Sequence, residues 1–218
     1  MSSHAKPFTA TKMATRTAII LFLFTIGFTA VLAGIYVLTK PAIDASAMVK
    51  KMHSIGEVLP AGSYDNDLLK DTLEWPATPA LGLDDTSTVY RGRKGGLPAA
   101  LVLETVATDG YSGKIRMLIG VQADGTLTGV RVTEHKETPG LGDYIDPKKD
   151  KNKEHPWVEQ FDGKSLGNLS ERDWKVKKDG GRFDSVAGAT ISPRAVIKAV
   201  HKTLNYVAEH RVELYADK

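Results

Sequence analysis

The chain has 218 residues, 42% hydrophobic and 25% charged, with 20 Gly and 10 Pro. That fits one membrane-anchoring segment plus one folded domain of ordinary size. Its 29 basic and 26 acidic residues leave a net charge of +3 without a basic stripe, which argues against nucleic acid. The sequence contains no cysteine, which excludes disulfides, thiolate nucleophiles, iron–sulfur ligation and cysteine zinc sites together.

In chain order, residues 1–16 read as a cytoplasmic tail carrying Lys6, Lys12 and Arg16. Thr17–Thr39 follows without a charge. Roughly 23 residues rising about 1.5 Å each span about 35 Å, enough to cross a bilayer core. A cleaved signal peptide is the rival reading. Its apolar core would be about 7–15 residues, and this run continues past the small-residue stretch Ala30–Gly34. An uncleaved anchor is therefore expected. Lys40, Lys50 and Lys51 nearly balance the basic residues before the anchor. Arg16, tight against the segment, favours the N-terminus inside and the domain outside.

Residues 40–80 are expected to form a helical stalk and linker. Lys40–Leu59 is weakly helical, Pro60-Ala-Gly-Ser ends it, Asp65–Leu73 reads as a short helix, and Trp75–Pro79 as an extended connection. From residue 81 the pattern changes. Ser87–Arg91, Ala99–Val106, Ile115–Val121 and Leu127–Thr133 are short runs rich in Val, Ile, Leu and Thr, with Ala123-Asp-Gly125 as a hairpin turn. Glu134–Lys164 is a long polar excursion whose charge run, Asp146–Lys153, reads as a solvated loop. Trp157–Phe161 reads as a short helix or strand. Ser192 reads as an N-cap with Pro193 at the first helical position. Val196, Val200, Leu204 and Val207 then mark an amphipathic C-terminal helix ending near Glu209. The expected fold is α+β: one transmembrane helix, then a domain over 81–218 with a small, mostly antiparallel sheet and a C-terminal helix.

Three stretches can carry chemistry. Asp184-Ser-Val-Ala-Gly-Ala-Thr190 places small residues, Ala187, Gly188 and Ala189, before a threonine at a helix start. The bland reading is that Thr190 and Ser192 cap a helix. The sharper one is that the small residues admit a bulky group to the Thr190 hydroxyl, while the helix N-terminus and Arg194 offset a phosphate. Glu137-Thr138-Pro139-Gly140-Leu141-Gly142 is a tight loop whose backbone can approach a flat ligand. It lacks the spacing of a dinucleotide fingerprint. In Gly110-Tyr111-Ser112-Gly113 a hairpin turn is the safer reading, with Tyr111 able to stack on a ring. The six histidines do not cluster at metal spacing, so no metal is expected; His135 reads as a solvated loop residue. No catalytic triad can be assembled.

Gly-Tyr-Ser-Gly-Lys-Ile, His-Lys-Glu-Thr-Pro-Gly-Leu-Gly-Asp and Asp-Ser-Val-Ala-Gly-Ala-Thr-Ile-Ser occur here in that order behind an N-terminal anchor. Together they resemble RnfG, the FMN-binding component of the Rnf ion-translocating electron transport complex. Val58-Leu-Pro60 with Tyr64-Asp-Asn66, and Trp157 through Asp179-Gly-Gly181, extend the resemblance over nearly the whole chain. It implies an FMN joined to Thr190 by a phosphoester, in an Asp184…Ala187-Gly188-Ala189-Thr190 motif read by a flavin transferase. Ala187 stands where the family more often has Ser. Ser192-Pro193 stands where many members have Thr-Ser. It further implies an electron-carrier subunit of the inner membrane, N-terminus cytoplasmic and FMN domain periplasmic. Its partners would be the other membrane and soluble subunits of a complex coupling ferredoxin/NADH electron transfer to ion translocation. The implied FMN contacts are Tyr111, Ser112, Glu137, Thr138, Pro139, Gly140, Leu141, Gly142 and Ser192, with no catalytic residue in the chain itself. The alternatives are NqrC, the equivalent component of the sodium-translocating NADH:quinone reductase, a non-redox anchored binding or assembly module, and, weakly, a threonine-dependent hydrolase.

Overall fold

A computed structural model describes residues 10–216; most of the expected tail, including Lys6, lies outside the described residues. The chain divides into two compact units, Met1–Lys51 and Met52–Lys218. The first is the bulk of a continuous helix, α1 (Ala10–Val58), long and apolar enough to cross a membrane. Pro41 lies inside α1 without ending it, so the anchor and the expected stalk are one helix.

The second unit is a five-stranded antiparallel meander in the order β1-β2-β3-β4-β5: Thr72–Trp75, Ser87–Lys94, Leu97–Gly110, Gly113–Gln122 and Leu127–Glu134. The four expected strands are all present, extended at their ends. Asp65–Leu73 is a correction: it is turn and strand rather than helix. Thr72–Trp75 pairs with Ser87–Tyr90 as the edge strand β1. Asn66 explains why the chain turns there, its side chain bonding the Arg91 carbonyl and the Arg93 N–H at 2.9 and 2.7 Å. Residues 52–80 thus belong to the folded unit and not to a stalk.

The sheet is buried on both faces, and strand periodicity sorts the side chains. Leu101, Leu103, Ile115, Met117, Ile119 and Val121 face the main core with α2 (Ile191–Glu209). Val196, Ile197, Val200, Leu204 and Val207 form the buried stripe of α2. Each such side chain contributes about 1.5–3 kcal/mol when fully buried. Ala100, Val102 and Leu118, on the other face, pack with Ile55, Val58, Leu59 and Leu68. Two glycines seat the end of α1 on the sheet. Gly120 and Gly129 are cross-strand partners, and a Cβ on Gly129 would come within 2.9 Å of Val58 Cα. Thr128 Oγ1 donates to the Val58 carbonyl at 2.5 Å. A short helix, α3 (Arg211–Tyr215), closes the chain.

Candidate flavin-binding site

The three stretches singled out in the sequence meet at one end of the sheet. Tyr111 and Ser112 form the tip of the β3–β4 hairpin. The loop Glu137–Gly142 follows β5, and Gly188–Ser192 leads into α2. They enclose a cavity of about 240 Å³. Tyr111, Glu137, Thr138, Leu141 and Gly142 line one side; Gly188, Ala189, Thr190, Ile191 and Ser192 line the other. This is below the roughly 300–1,000 Å³ of pockets that enclose small molecules, so a larger ligand seated here keeps part of itself outside. Tyr111, Leu141 and Ile191 are exposed along its rim, 67%, 53% and 46% respectively.

Glu137, 4% exposed, ties the three segments together. Its Oε1 accepts the Ser112 N–H at 3.1 Å, and its Oε2 accepts the Ser192 hydroxyl at 2.5 Å. Space is tight around it: a Cβ on Gly110 would lie 2.8 Å from Oε1, and one on Gly142 2.9 Å from Oε2. Glycine is required at both positions by this carboxylate rather than by a turn. The expected capping role of Ser192 is corrected accordingly. The α2 helix begins at Ile191 with Thr190 as its N-cap residue, and no side chain caps it. The Ser192 hydroxyl goes to the buried carboxylate instead. Pro193 then falls later in the first turn, where a missing N–H costs nothing.

Thr190 is half-buried, and its hydroxyl accepts a bond from Arg194 Nη1 at 3.0 Å. Arg194 is aimed by Asp179, which accepts from Nε and Nη2 at 2.6 and 2.7 Å. The Arg194 hydrogen bonds hold the Asp179 carboxyl below the usual range. Asp179-Gly-Gly181 therefore serves the site at one remove. Tyr144, which the sequence did not single out, fixes the acceptor loop. Its hydroxyl donates to the Ala189 carbonyl at 3.0 Å and accepts the Val186 N–H at 3.1 Å. Burial pushes the Tyr144 phenol up from its ordinary value. Nothing in the local pattern distinguishes this tyrosine from the other six.

Not every expected contact lines the cavity. Asp184 lines a different, larger cavity with Asp150 and Trp157, and its carboxylate pairs with Lys177 Nζ at 2.7 Å. Its backbone carbonyl accepts Trp157 Nε1–H at 2.6 Å. Ala187 is exposed in the loop. Pro139 and Gly140 form the exposed turn, where Gly140 has φ 76° and donates its N–H to Asp143 at 2.9 Å. Ser112 takes part through its backbone. Two polar residues expected in solvent are held inside. His135 Nδ1 accepts the Glu137 N–H at 3.1 Å, and Asp150, within the charge run, accepts the Trp157 N–H at 2.7 Å.

The FMN-binding domain family matches residues 110–205, the span that contains all three segments. The RnfG N-terminal region family matches residues 1–58. The chain is 45% identical over 201 residues to the RnfG-type component of the ion-translocating oxidoreductase complex of Pseudomonas aeruginosa, covering 92% of each chain. It is 38% identical over 199 residues to the corresponding protein of Aliivibrio fischeri, covering 91% of this chain and 92% of that one. The chain belongs to the RnfG family of ion-translocating oxidoreductase complexes. Among solved structures, Shewanella oneidensis NqrC is similar at 22% identity and a TM-score of 0.42, over 68% of this chain and 73% of that one.

For a member of the RnfG family, the donor set fits a flavin nucleotide. A hydroxyl with an oriented guanidinium suits a phosphate. The α2 N-terminus adds free N–H groups and a positive dipole end beside the same hydroxyl.

Proposed function

We propose that this chain is the membrane-anchored electron-transfer subunit of an ion-translocating oxidoreductase complex, carrying FMN as a phosphoester on Thr190. The observation that carries this reading is the convergence of Tyr111, Glu137–Gly142 and Gly188–Thr190 on one cavity, with Arg194 on the Thr190 hydroxyl. A bound FMN supplies the acceptance and release of electrons. The chain's own residues position it. Arg194, braced by Asp179, holds the phosphate end. Gly188 has a φ of 82°, and a Cβ there would meet no atom within 4 Å, so the approach to Thr190 is open. Because the cavity is small, the ring keeps an exposed edge between Tyr111, Leu141 and Ile191, where a partner subunit can exchange electrons with it.

The remaining parts of the reading follow from the family and the anchor. A flavin transferase attaches the FMN. The other membrane and soluble subunits of the complex are the redox partners, and the complex couples electron transfer between ferredoxin and NADH to ion movement. The chain sits in the inner membrane through α1, N-terminus cytoplasmic and flavin domain periplasmic. Alone it turns over no substrate. A covalent tether suits a compartment where free FMN would dilute away, because it fixes a high effective concentration at the cavity.

The test is co-expression with a flavin transferase, followed by denaturing electrophoresis and intact mass. A fluorescent band heavier by FMN minus water, absent in Thr190→Val, is the expected result. A dark band of unmodified mass, beside a control protein that the transferase does modify, overturns the covalent reading.

A further inference from the structure

Glu137 is the acidic side chain lining the Thr190 cavity, and it is almost fully buried, at 4% exposure. Among the described residues it has no cationic partner. Its hydrogen bonds come from one backbone N–H, that of Ser112, and one hydroxyl, that of Ser192. Arg194, the nearby cation of the first helical turn, is committed to Asp179 and Thr190. Taking a carboxylate out of water without a counter-charge costs several kcal/mol. If Glu137 only clipped the loops together, a neutral amide would make one of the same bonds without that cost. A carboxylate also has room for about four hydrogen bonds, so the two it makes do not exhaust it.

The consequence is electrostatic. Reduction brings negative charge onto a flavin, and a buried charge acts strongly because little water screens it. We propose that the buried negative charge of Glu137 opposes reduction of the flavin held at Thr190, and so sets its potential low. This rests on the FMN assignment and adds to it a residue that tunes the cofactor. Ser112 and Ser192 have a supporting part: each donates to the carboxylate and keeps it in place against the cavity.

The test is a spectroelectrochemical titration of flavin-loaded full chain in detergent, comparing wild type with Glu137→Gln, Glu137→Asp and Ser192→Ala. Glu137→Gln removes the charge and keeps the size. Its midpoint potential is expected to rise by a tenfold change in the reduction equilibrium constant or more, about 30 mV for a two-electron couple. Ser192→Ala loosens the clip but keeps the charge, so its potential is expected not to rise. Raising the salt concentration should leave the difference in place, because the charge is buried. A Glu137→Gln potential equal to wild type overturns the inference. So does an equal rise in Ser192→Ala, which would mark loop loosening as the cause. If Glu137→Gln takes up no flavin, Glu137→Asp decides: a potential near wild type supports the charge, and a rise of tenfold or more overturns it. Wild-type chain without flavin overturns the FMN assignment itself, an outcome distinct from any difference among the variants.

Discussion

The Ser192 hydroxyl and the Glu137 carboxylate, 55 residues apart in the chain, meet in a buried hydrogen bond of 2.5 Å. This bond joins the first turn of α2 to the loop after β5, and the same carboxylate reaches the β3–β4 hairpin through Ser112. Ser192→Ala removes one of two donors from a buried anion. Hydrogen bonds to charged groups contribute about 1.5–3 kcal/mol. The full chain in detergent should lose stability of that order in denaturant titrations, with a lower midpoint and an unchanged slope.

Arg194 donates to the Thr190 hydroxyl, and Asp179 orients it. Arg194→Ala should slow flavin attachment roughly tenfold or more, since a charge-assisted bond worth about 1.5–3 kcal/mol is lost. Asp179→Asn should slow it less, because the guanidinium remains. Flavin fluorescence per unit protein, followed over time with a fixed amount of transferase, gives both rates. Equal attachment in wild type and Arg194→Ala would remove Arg194 from the phosphate site.

The end of α1 lies directly on the Gly120–Gly129 pair. A methyl at Gly129 would lie 2.9 Å from Val58 Cα and 3.2 Å from its carbonyl oxygen, both backbone atoms that cannot swing away. Gly129→Ala is expected to cost about 1–3 kcal/mol through overpacking. Gly125→Ala is a useful contrast. Its Cβ would meet nothing, but its φ of 90° makes the substitution one of turn strain instead. Gly129→Ala should therefore increase proteolysis near Pro60–Asp71, whereas Gly125→Ala should act at the β4–β5 turn. Limited proteolysis with mass mapping separates them.

Asp71 accepts Arg91 Nε at 2.7 Å and Arg93 Nε at 2.6 Å, and Arg91 is 5% exposed. Burial works to raise the Asp71 carboxyl, but the hydrogen bonds from Arg93 and Arg91 outweigh it and hold it below its ordinary value. A carboxyl with a lowered folded-state pKa gives stability that is present above the unfolded value, about 3.9. That stability is lost as pH falls through the folded value. Asp71→Asn should cost about 3–5 kcal/mol at neutral pH, the order for breaking a buried pair on one side. The gap between wild type and variant should narrow below about pH 4. Denaturant midpoints from neutral pH down into the acid range test this; a gap independent of pH would contradict the ion-pair account.

Local pattern carried much of the architecture. The four expected strands, the hairpin at Ala123–Gly125 and the C-terminal helix follow from short-range periodicity and turn chemistry. β1 was missed because four residues, Thr72–Trp75, offer too little alternation, and the strand exists only by pairing with β2. Ser192 resembles a cap because Ser before Pro is a local capping signal. The hydroxyl goes elsewhere because a buried carboxylate is a stronger acceptor need than a solvent-facing helix end. Asp184 sits six residues before Thr190, but its bond to Trp157 turns it toward a separate cavity.

The chain's order of residues settled the membrane segment, the meander and the small-residue approach to Thr190, because each depends on neighbours within a few positions. Folding decided which of the flagged residues share a cavity, that Glu137 is the buried hub among them, and that Tyr144 and Asp179 support the acceptor loop. Those are contacts between residues 15 to 55 positions apart. They form only where the sheet and α2 bring distant backbone together, and burial then makes each unmatched polar group costly enough to select its partner.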